Sequence, residues 1–234
     1  MTARRRADPV QRFGVRAVVV FAIAIVFAIL FVLLMIAVSR SSPEVLRADQ
    51  RTAIRLHRLA LRHPIFTHVM RIISDSGSTL AWWIILSVLT ITLLLRRLPR
   101  LALFVVVTGI GSSILNGLIK AAVSRARPAL DDPVAVAAGK SFPSGHSQSA
   151  IVGYGILVVI LLPLLPAVWQ RIALCFAVIM VLLIGFSRIA LGVHYLSDVL
   201  GAYLIGSVWL LGMVVAFRTW RRESWRVRRE VAQL

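Results

Sequence analysis

AVVVFAIAIVFAILFVLLMIAV, residues 17–38, is a run of 22 residues without a charged side chain. An α-helix needs about 20 apolar residues to cross a hydrocarbon core roughly 30 Å thick, so the run is predicted to span a membrane. A cleaved signal peptide is the alternative interpretation. Its apolar region would be shorter and followed by a small-residue cleavage site, whereas Ser-Arg-Ser-Ser-Pro follows here at 39–43. We therefore expect this run to remain as the first span.

The composition of the whole chain extends this prediction. Of 234 residues, 59% are apolar and only 15% are charged, and the mean hydropathy is +0.87, which excludes an ordinary water-soluble domain. Five more apolar runs follow, at about 80–95, 101–118, 149–165, 172–186 and 199–217. The chain contains no fixed-period repeat and no Ser/Gly-rich linker. The expected fold is all-α, a six-span transmembrane helical bundle that forms a single domain over residues 1–234.

The charge of the chain is strongly positive and almost entirely due to arginine. There are 27 Lys and Arg residues against 9 Asp and Glu, which gives +18, and only Lys120 and Lys140 are lysines. Arginine favours contacts with phosphate groups and membrane surfaces, so anionic lipids are expected partners. A nucleic-acid-binding protein of similar pI would carry a basic stripe on a soluble fold. Here the arginines lie between apolar runs, and we expect no nucleic-acid partner.

The distribution of arginine also predicts the orientation in the membrane. Positive charge in short segments stays on the cytoplasmic side. With six spans, the basic tails 1–16 and 218–234 and the connection 96–100 all lie on that side. Both termini are then cytoplasmic in a multi-pass protein of the cell membrane. The connection 40–78 opposes this assignment with its seven arginines, although long loops weigh less in the rule.

The connection 40–78 contains a candidate amphipathic helix. Alanine, leucine and isoleucine surround four arginines that recur at helical spacing: Arg51, Arg55, Arg58 and Arg62. An interfacial helix between spans one and two is therefore predicted. Its arginines either contact lipid headgroups and guide an anionic lipid inward or form a solvated face, which is the commoner case.

Three clusters of polar and charged residues lie at span ends, where such groups are costly unless they have a function. The first is Lys-Ala-Ala-Val-Ser-Arg-Ala-Arg-Pro at 120–128, at the end of the third span. The second is Pro-Ser-Gly-His at 143–146, at the start of the fourth span. The third, between the fifth and sixth spans, contains Ser187, Arg188, His194 and Asp198. With six spans and a cytoplasmic N-terminus, all three clusters converge on the outer face.

Residues from all three clusters suit the binding of a phosphate dianion. A phosphate near the bilayer needs several cations and several N–H donors, because water is scarce there. Three residues supply the cations: Lys120, Arg127 and Arg188. Ser144, Gly145 and His146 begin a helix, so their N–H groups and the positive end of the helix dipole point at the site. Gly145 permits a close approach of the chain to the phosphate.

Two histidines can divide the chemistry of phosphoryl transfer between them. His194 and Asp198 are four residues apart, which places them on one face of a helix. The carboxylate can then hold one ring nitrogen and leave the other free to attack phosphorus. His146 remains as the proton donor. A separate nucleophile and general acid suit a covalent phosphoenzyme intermediate.

Taken together, the clusters resemble the three-part signature of the type 2 phosphatidic acid phosphatase superfamily, whose membrane members are six-helix lipid phosphatases. The pattern Lys-x6-Arg-Pro, Pro-Ser-Gly-His, Ser-Arg-x5-His-x3-Asp is present in order and without a departure, and the resemblance spans roughly residues 75–210. It implies that His194 becomes phosphorylated, that Asp198 supports it and that His146 protonates the leaving oxygen. It also implies a set of phosphate-binding residues: Lys120, Arg127, Ser144, Gly145 and Arg188.

The resemblance further implies a metal-independent enzyme without a cofactor. Its substrate would be a lipid phosphate or diphosphate, such as phosphatidylglycerol phosphate, phosphatidic acid or undecaprenyl diphosphate. Soluble vanadate-binding haloperoxidases share the same residues, but six apolar spans leave no room for their fold. A phosphotransferase with the same phosphoenzyme stays open as an alternative. A non-catalytic binder or transporter of lipid phosphates is disfavoured, because it needs the cations but not a positioned nucleophile and acid.

Four charged residues near the clusters fall outside the signature: Arg125, Lys140, Asp131 and Asp132. Surface charges usually serve solvation and ion pairing, and we expect that role for these four. On the third span, Asn116 and Lys120 are expected to share one helix face because they are four residues apart. Small residues that predict close helix packing recur on the same span: Gly109, Gly111, Ser112, Ser113 and Gly117.

Overall fold

The computed structural model describes the backbone of residues 9–231 and the side chains of residues 18–217, and the described backbone contains helices and no strand. The helices in chain order are α1 (Pro9–Ser39), α2 (Pro43–Arg62), α3 (Pro64–Ser76), α4 (Thr79–Leu95), α5 (Pro99–Val123), α6 (Gly145–Leu161), α7 (Ala167–Ala190) and α8 (Leu196–Val231). A 3₁₀ turn at Leu162–Leu164 follows α6. The side chains of the predicted basic tails, 1–16 and 218–234, lie outside the described residues.

The described part of the chain contains six helical segments that are long and apolar enough to cross a membrane. They are Val18–Ser39, Pro64–Leu95, Pro99–Val123, Gly145–Leu164, Ala167–Ala190 and Leu196–Phe217. The predicted all-α, six-span architecture is therefore confirmed. The helices extend beyond the apolar runs, since α5 continues to Val123 and α6 begins at Gly145. Polar residues of the predicted clusters thus belong to the end turns of the helices.

The second segment consists of two helices, α3 and α4, rather than one. They meet at Gly77 and Ser78, where the Ser78 side chain caps α4 by accepting a hydrogen bond from Ala81 N at 3.2 Å. A side chain at position 77 would collide with Ile184 of α7, so glycine allows the corner to pack closely there. The α3–α4 corner is thereby held against α7.

Proline and a left-handed residue mark several helix ends. Pro43, Pro64 and Pro99 lie in the first turns of α2, α3 and α5, where the missing N–H has no helical partner in any case. α5 ends where Ser124 adopts a φ of 50°, a left-handed conformation typical of helix C-termini. The chain then leaves the bundle for the connection 124–144.

The core of the bundle lies between α4, α5 and α6, and α8 packs along α1 and α6. The largest cluster of buried apolar side chains comprises Leu93, Ala102, Phe104, Val105, Val152, Ile156 and Ile160. Asn116 on α5 donates a hydrogen bond to Gln148 on α6 at 2.9 Å, which joins the two helices. Outward-facing apolar side chains such as Phe21 and Ile114 remain exposed, as expected where a helix faces lipid.

Helix α2 is amphipathic, as predicted, and its arginines lie on the exposed face. Its buried face consists of Asp49, Ala53, His57 and Ala60. Two of these four residues are polar, which is unusual for a buried helix face and was not predicted. His57 donates from Nε2 to the Asp131 carbonyl oxygen at 2.7 Å, and this contact fixes α2 to the connection 124–144.

One end of the bundle collects the C-termini of α5 and α7 and the N-termini of α6 and α8. Backbone hydrogen bonds join these ends: Ser141 N donates to Arg125 O at 2.9 Å, and Ser144 N donates to Asp198 O at 3.0 Å. α2 packs against α7 and α8, and α3 packs against α7. All three predicted clusters therefore lie at the same end of the molecule.

Candidate active site

The three clusters meet around the imidazole ring of His194. This residue is 2% exposed and lies in the turn between α7 and α8. Its Nδ1 is 3.3 Å from Asp198 Oδ2, and its Nε2 is 3.1 Å from Arg127 Nη1. The second cluster joins them through the hydrogen bond from Ser144 N to the Asp198 carbonyl oxygen.

His194 and Asp198 are in contact, but the helical geometry predicted for them is wrong. α8 begins at Leu196, so His194 precedes the helix and Asp198 lies in its first turn. The carboxylate reaches back and accepts a hydrogen bond from Tyr195 N at 2.8 Å. A side chain at the third helical position that bonds the N–H of the cap residue is one half of a capping box. The capped turn, rather than helical periodicity, brings the two residues together.

The neighbours of His194 fix the tautomer of its ring. An arginine guanidinium only donates hydrogen bonds, so Nε2, which faces Arg127 Nη1, carries the lone pair. Nδ1 then carries the proton and points it at Asp198 Oδ2. Ser141 Oγ lies 3.4 Å from Nδ1 and donates to the same carboxylate oxygen at 2.5 Å. The lone pair of the ring is therefore directed towards the cations.

Burial keeps the His194 ring neutral at physiological pH. It lowers the pKa of His194 to about 4; Asp198 opposes this shift, whereas Arg127 and Arg188 add to it. A neutral imidazole with a free Nε2 and a carboxylate behind Nδ1 has the form that a histidine nucleophile needs.

Three backbone carbonyl groups aim the Arg127 side chain. Arg127 donates from Nε to Gly139 O at 3.0 Å, from Nη2 to Ala138 O at 2.9 Å and from Nη1 to Val193 O at 2.7 Å. A planar guanidinium held at all three nitrogens has little freedom to rotate. These contacts hold Nη1 beside the reactive nitrogen of His194.

Lys120 and Arg188 complete the set of predicted cations at this end of the bundle. Lys120 donates from Nζ to Lys140 O at 3.1 Å. Arg188 is buried and donates from Nη1 to Ser74 Oγ of α3 at 2.5 Å, while its Nε has no hydrogen-bond partner in the described part of the chain. A buried cation with an unused donor is costly and favours an anionic ligand.

The N-terminus of α6 presents its amides to the same region. Ser144 is the N-cap residue, and its Oγ accepts hydrogen bonds from Ser147 N at 3.5 Å and Ser147 Oγ at 3.0 Å. The first amides of a helix, here those of Gly145 and His146, have no partner within it. A Cβ placed on Gly145 would meet no atom closer than Asn116 Oδ1 at 3.7 Å, so the space beside it is open.

The side chain of His146 lies on the first turn of α6 and is half-buried. It lies within electrostatic range of Arg188, His194, Lys120 and Arg127. All eight residues that the sequence predicts for the site therefore lie at this end of the bundle.

Arg125 forms ion pairs, as the sequence analysis expected, but within a buried network rather than on a solvated loop surface. Its side chain is 13% exposed and forms two ion pairs, with Asp198 Oδ1 at 2.8 Å and with Asp49 Oδ2 at 2.6 Å. Asp131 and Asp132, in contrast, are exposed, as predicted. Asp49, on the buried face of α2, is a further residue that the sequence analysis missed. The spacing of Asp49 with Ala53, His57 and Ala60 could have indicated it, because these residues recur on one helix face.

A groove of about 660 Å³ runs between α2 and the connection 124–144 towards the site. It is lined by Arg58 and His57 of α2, by Asp131 and Asp132, and by Arg127 and Tyr195. Among the side chains described, no three His, Cys, Asp or Glu residues are grouped so that they could hold a metal ion. The candidate site therefore contains several cations and is reached by this groove.

Known proteins are similar to this chain in sequence and in fold. Phosphatidylglycerophosphatase B of Bacillus subtilis (strain 168) is 35% identical over 95 residues, which are 40% of this chain and 46% of that relative. The match thus spans about half of the relative's length. The crystal structure of the first transmembrane PAP2 type phosphatidylglycerolphosphate phosphatase, from Bacillus subtilis, resembles the fold with a TM-score of 0.73 at 26% identity. That likeness covers 84% of this chain and 96% of the other.

The family match includes every residue of the three clusters. Residues 100–222, more than half of the chain, match the PAP2 superfamily. The match begins within α5 and ends within α8, so it contains the four helix ends that form the site. The chain therefore belongs to the PAP2 superfamily.

Proposed function

We propose that this protein is an integral-membrane lipid phosphatase that hydrolyses a terminal phosphate monoester or diphosphate through a phosphohistidine intermediate. The observation that carries the proposal is the state of His194. Its Nε2 lone pair faces Arg127, and its Nδ1 proton faces the buried Asp198 carboxylate. A site that only bound phosphate would need the cations but not an oriented, neutral imidazole.

Binding of the phosphate group uses the cations and the amides at the start of α6. Arg188 offers its Nε, which has no partner among the side chains of residues 18–217. Lys120 offers its ammonium group, and Arg127 offers the Nη1 that faces His194. The amides of Gly145 and His146 and the positive end of the α6 dipole add uncharged donors. These groups neutralise the charge that spreads over the equatorial oxygens in the transition state.

The first chemical step transfers the phosphoryl group to His194. Nε2 attacks phosphorus, the bond to the lipid oxygen breaks, and its electron pair stays with that oxygen, which takes a proton from His146. The imidazole becomes positively charged, and Asp198 stabilises this charge through Nδ1–H, as the carboxylate of a catalytic triad does. In the second step, water gives a proton to His146 and attacks the phosphohistidine. Inorganic phosphate is released and neutral His194 is restored.

The substrate class follows from the surroundings of the site and from its relatives. The site lies at the end of a bundle of six apolar helices, where the phosphate of a lipid can reach it. Both comparisons lead to a Bacillus subtilis enzyme named for phosphatidylglycerophosphate, so this lipid is the first to test, before phosphatidic acid and undecaprenyl diphosphate. The arginine distribution supports an active site on the outer face and cytoplasmic termini.

The decisive experiment measures release of inorganic phosphate by the purified protein from these three lipids, without an added acceptor. We expect release from at least one lipid, persistence of activity in a strong chelator, and inhibition by vanadate, which mimics the five-coordinate transition state. The His194→Ala variant is the control for contaminating phosphatases. Loss of activity in chelator with recovery in magnesium would contradict the metal-independent mechanism. Release that requires an added alcohol acceptor would instead identify a phosphotransferase.

A further inference from the structure

Asp49, on helix α2, caps the helix that carries Asp198. Asp49 is 1% exposed, and its Oδ1 accepts a hydrogen bond from Ser197 N at 2.9 Å, while Oδ2 accepts one from Ser197 Oγ at 2.5 Å. Ser197 is the second residue of α8, so its N–H is one of the amides that a helix leaves unpaired. A carboxylate from a distant helix therefore satisfies the N-terminus of α8.

Arg125 joins this capping carboxylate to the carboxylate behind His194. Its Nη2 donates to Asp49 Oδ2 at 2.6 Å and its Nη1 donates to Asp198 Oδ1 at 2.8 Å. The Tyr195 ring lies 4.2 Å from the guanidinium carbon and covers its face. Burial opposes the charge, but Asp198 and Asp49 outweigh it and raise the pKa of Arg125. One planar cation thus fixes two carboxylates at once.

The two carboxylate oxygens of Asp198 accept hydrogen bonds from different groups. Oδ2 accepts from Ser141 Oγ, from Tyr195 N and from His194 Nδ1. Oδ1 accepts from Arg125. With both oxygens held, the carboxylate cannot rotate, and Oδ2 stays directed at the imidazole. Each side-chain hydrogen bond described for Arg125 ends on Asp49, Ser197 or Asp198, and of these three residues Asp198 is the one whose side chain contacts the His194 ring.

Stability alone is a weak explanation for this arrangement. Removing three charged groups from water costs several kcal/mol per ion, and apolar replacements of buried ion triads are often neutral or stabilising. This buried triad includes Asp198, which supports the proposed nucleophile His194. Holding Asp198 in a fixed geometry lowers the free-energy cost of reorganisation in the transition state.

We propose that Asp49 and Arg125 form a clamp that positions the Asp198 carboxylate against His194, which makes α2 part of the catalytic machinery. The inference rests on the proposed phosphohistidine mechanism, since the clamp acts on its nucleophile. Asp49 and Arg125 are positioning residues, because their side chains act on His194 through Asp198.

The clamp has a consequence for the protonation of His194. The charged and titratable groups that face this ring are Asp198, Arg127, Arg188 and His146. Arg125 shares the negative charge of Asp198 and so weakens its pull on an imidazole proton. If the clamp is removed, Asp198 keeps its full negative charge beside His194 and favours the protonated ring at rest, but it no longer holds that ring in the geometry for attack. His194 then titrates at higher pH while the phosphate-binding groups stay in place.

The test compares three variants in the full-length protein. The double variant Asp49→Asn with Arg125→Gln removes the clamp and leaves the net charge unchanged, which limits the risk of unfolding. The single variant Arg125→Lys keeps the charge but cannot reach both carboxylates with one rigid fork. Arg71→Lys is the matched control, because Arg71 donates to Val134 O at 2.7 Å, outside this network. Each variant is assayed for kcat, KM and pH profile, and His194 is titrated by NMR with labelled histidine.

We expect the double variant to lose roughly 10- to 100-fold in kcat, as is typical when a group that orients a histidine is removed. KM should change by no more than about twofold, because phosphate binding is untouched. The acid limb of the pH profile and the NMR titration of His194 should both move to higher pH. Arg125→Lys should be intermediate, and Arg71→Lys should match the wild type in every measurement.

Three outcomes overturn or separate the two proposals. A folded double variant with wild-type kcat and an unmoved His194 titration would overturn the clamp and leave the phosphatase function standing. A variant that loses thermal stability but keeps the kcat and pH profile of its folded fraction would show a structural role only. A wild-type protein that releases no phosphate would overturn the proposed function, while the NMR titration still tests whether the clamp governs His194.

Discussion

His194 is neutral because its environment penalises charge, and it is oriented because its two nitrogens face opposite kinds of group. The carboxylate on the Nδ1 side and the guanidinium on the Nε2 side allow one tautomer only. Burial and the surrounding cations then hold the pKa of His194 near 4. A nucleophile of this kind works at lower pH than an ordinary histidine, whose pKa is about 6.5.

We therefore predict that kcat/KM stays high on the acid side down to about pH 4. Protonation of Nε2 abolishes attack, so activity is present above the pKa of His194 and is lost as the pH falls through it. The check is a pH profile between 3.5 and 9, with the ionisation of the phosphate substrate, near pH 6, measured separately by phosphorus NMR. An acid limb near 6.5 that is the same for substrates of different phosphate pKa would contradict the prediction.

The two histidines are predicted to fail in different steps. His194→Ala should lose turnover by more than about 10³-fold and form no acid-labile phosphoenzyme. His146→Ala should lose about 10² to 10⁴-fold on lipid substrates, as is typical for a general acid, and should recover partly with an aryl phosphate, whose leaving group needs no proton. Phosphate labelling of each variant is the measurement. A stable phosphoenzyme in His194→Ala would mean that another residue is the nucleophile.

The residues of the site were predictable only where they belong to a contiguous motif. The eight predicted residues fall in three short segments with fixed spacing. The contacts that hold them in place join positions far apart in the chain: Asp49 to Ser197 across 148 positions, Ser74 to Arg188 across 114, and Arg125 to Asp198 across 73. No local pattern encodes such pairs, because they result from tertiary packing: of α2 on α8, of α3 on α7, and of the connection 124–144 on α8.

At the level of the helices, the apolar runs gave the number of spans but not their ends. The apolar runs end where the hydrocarbon core of the membrane ends, but the helices are longer. Helix α5 continues through Lys120, and α6 begins at Gly145. The second span begins with α3. The predicted apolar runs did not include α3, because it contains several polar residues. The prediction of α2 as an amphipathic helix was correct for its arginine face. Its buried face, with Asp49, proved to be the side that reaches the site.

Helix α5 allows a direct test of the close packing predicted from its small residues. A Cβ on Gly111 would overlap the Trp209 ring of α8, and that ring is held by a hydrogen bond from Nε1 to Thr108 O at 2.8 Å. Gly111→Ala should therefore destabilise the protein by about 1–3 kcal/mol, the usual cost of overpacking. Gly117→Ala on the same helix is the matched control, because no atom lies within 4 Å of its added Cβ.

The control should be neutral or slightly stabilising, since alanine favours a helix by about 1 kcal/mol over glycine. The measurement is thermal unfolding of both variants in one detergent. Equal Tm values for Gly111→Ala and Gly117→Ala would contradict the close contact between α5 and α8.

For the whole molecule, the placement of the site at one end of the bundle makes membrane orientation decisive for function. The helix ends that carry the candidate site lie on the side of the connections 40–63 and 124–144. The connection 96–98, with Arg96 and Arg97, lies at the other end. Because short arginine-rich connections stay in the cytoplasm, the site is expected on the outer face, where it would meet lipids of the outer leaflet.

Thiol labelling in intact cells tests this orientation. In a Cys175→Ala background, Val136→Cys places a thiol on a residue that is 89% exposed beside the site, and Arg97→Cys places one on an exposed turn at the opposite end. A membrane-impermeant maleimide should label the first variant in intact cells and the second only after the membrane is opened. Labelling of Arg97→Cys alone in intact cells would reverse the topology. The substrate would then be a lipid phosphate of the inner leaflet. Phosphate release by the purified protein would be unaffected, because that assay does not depend on membrane orientation.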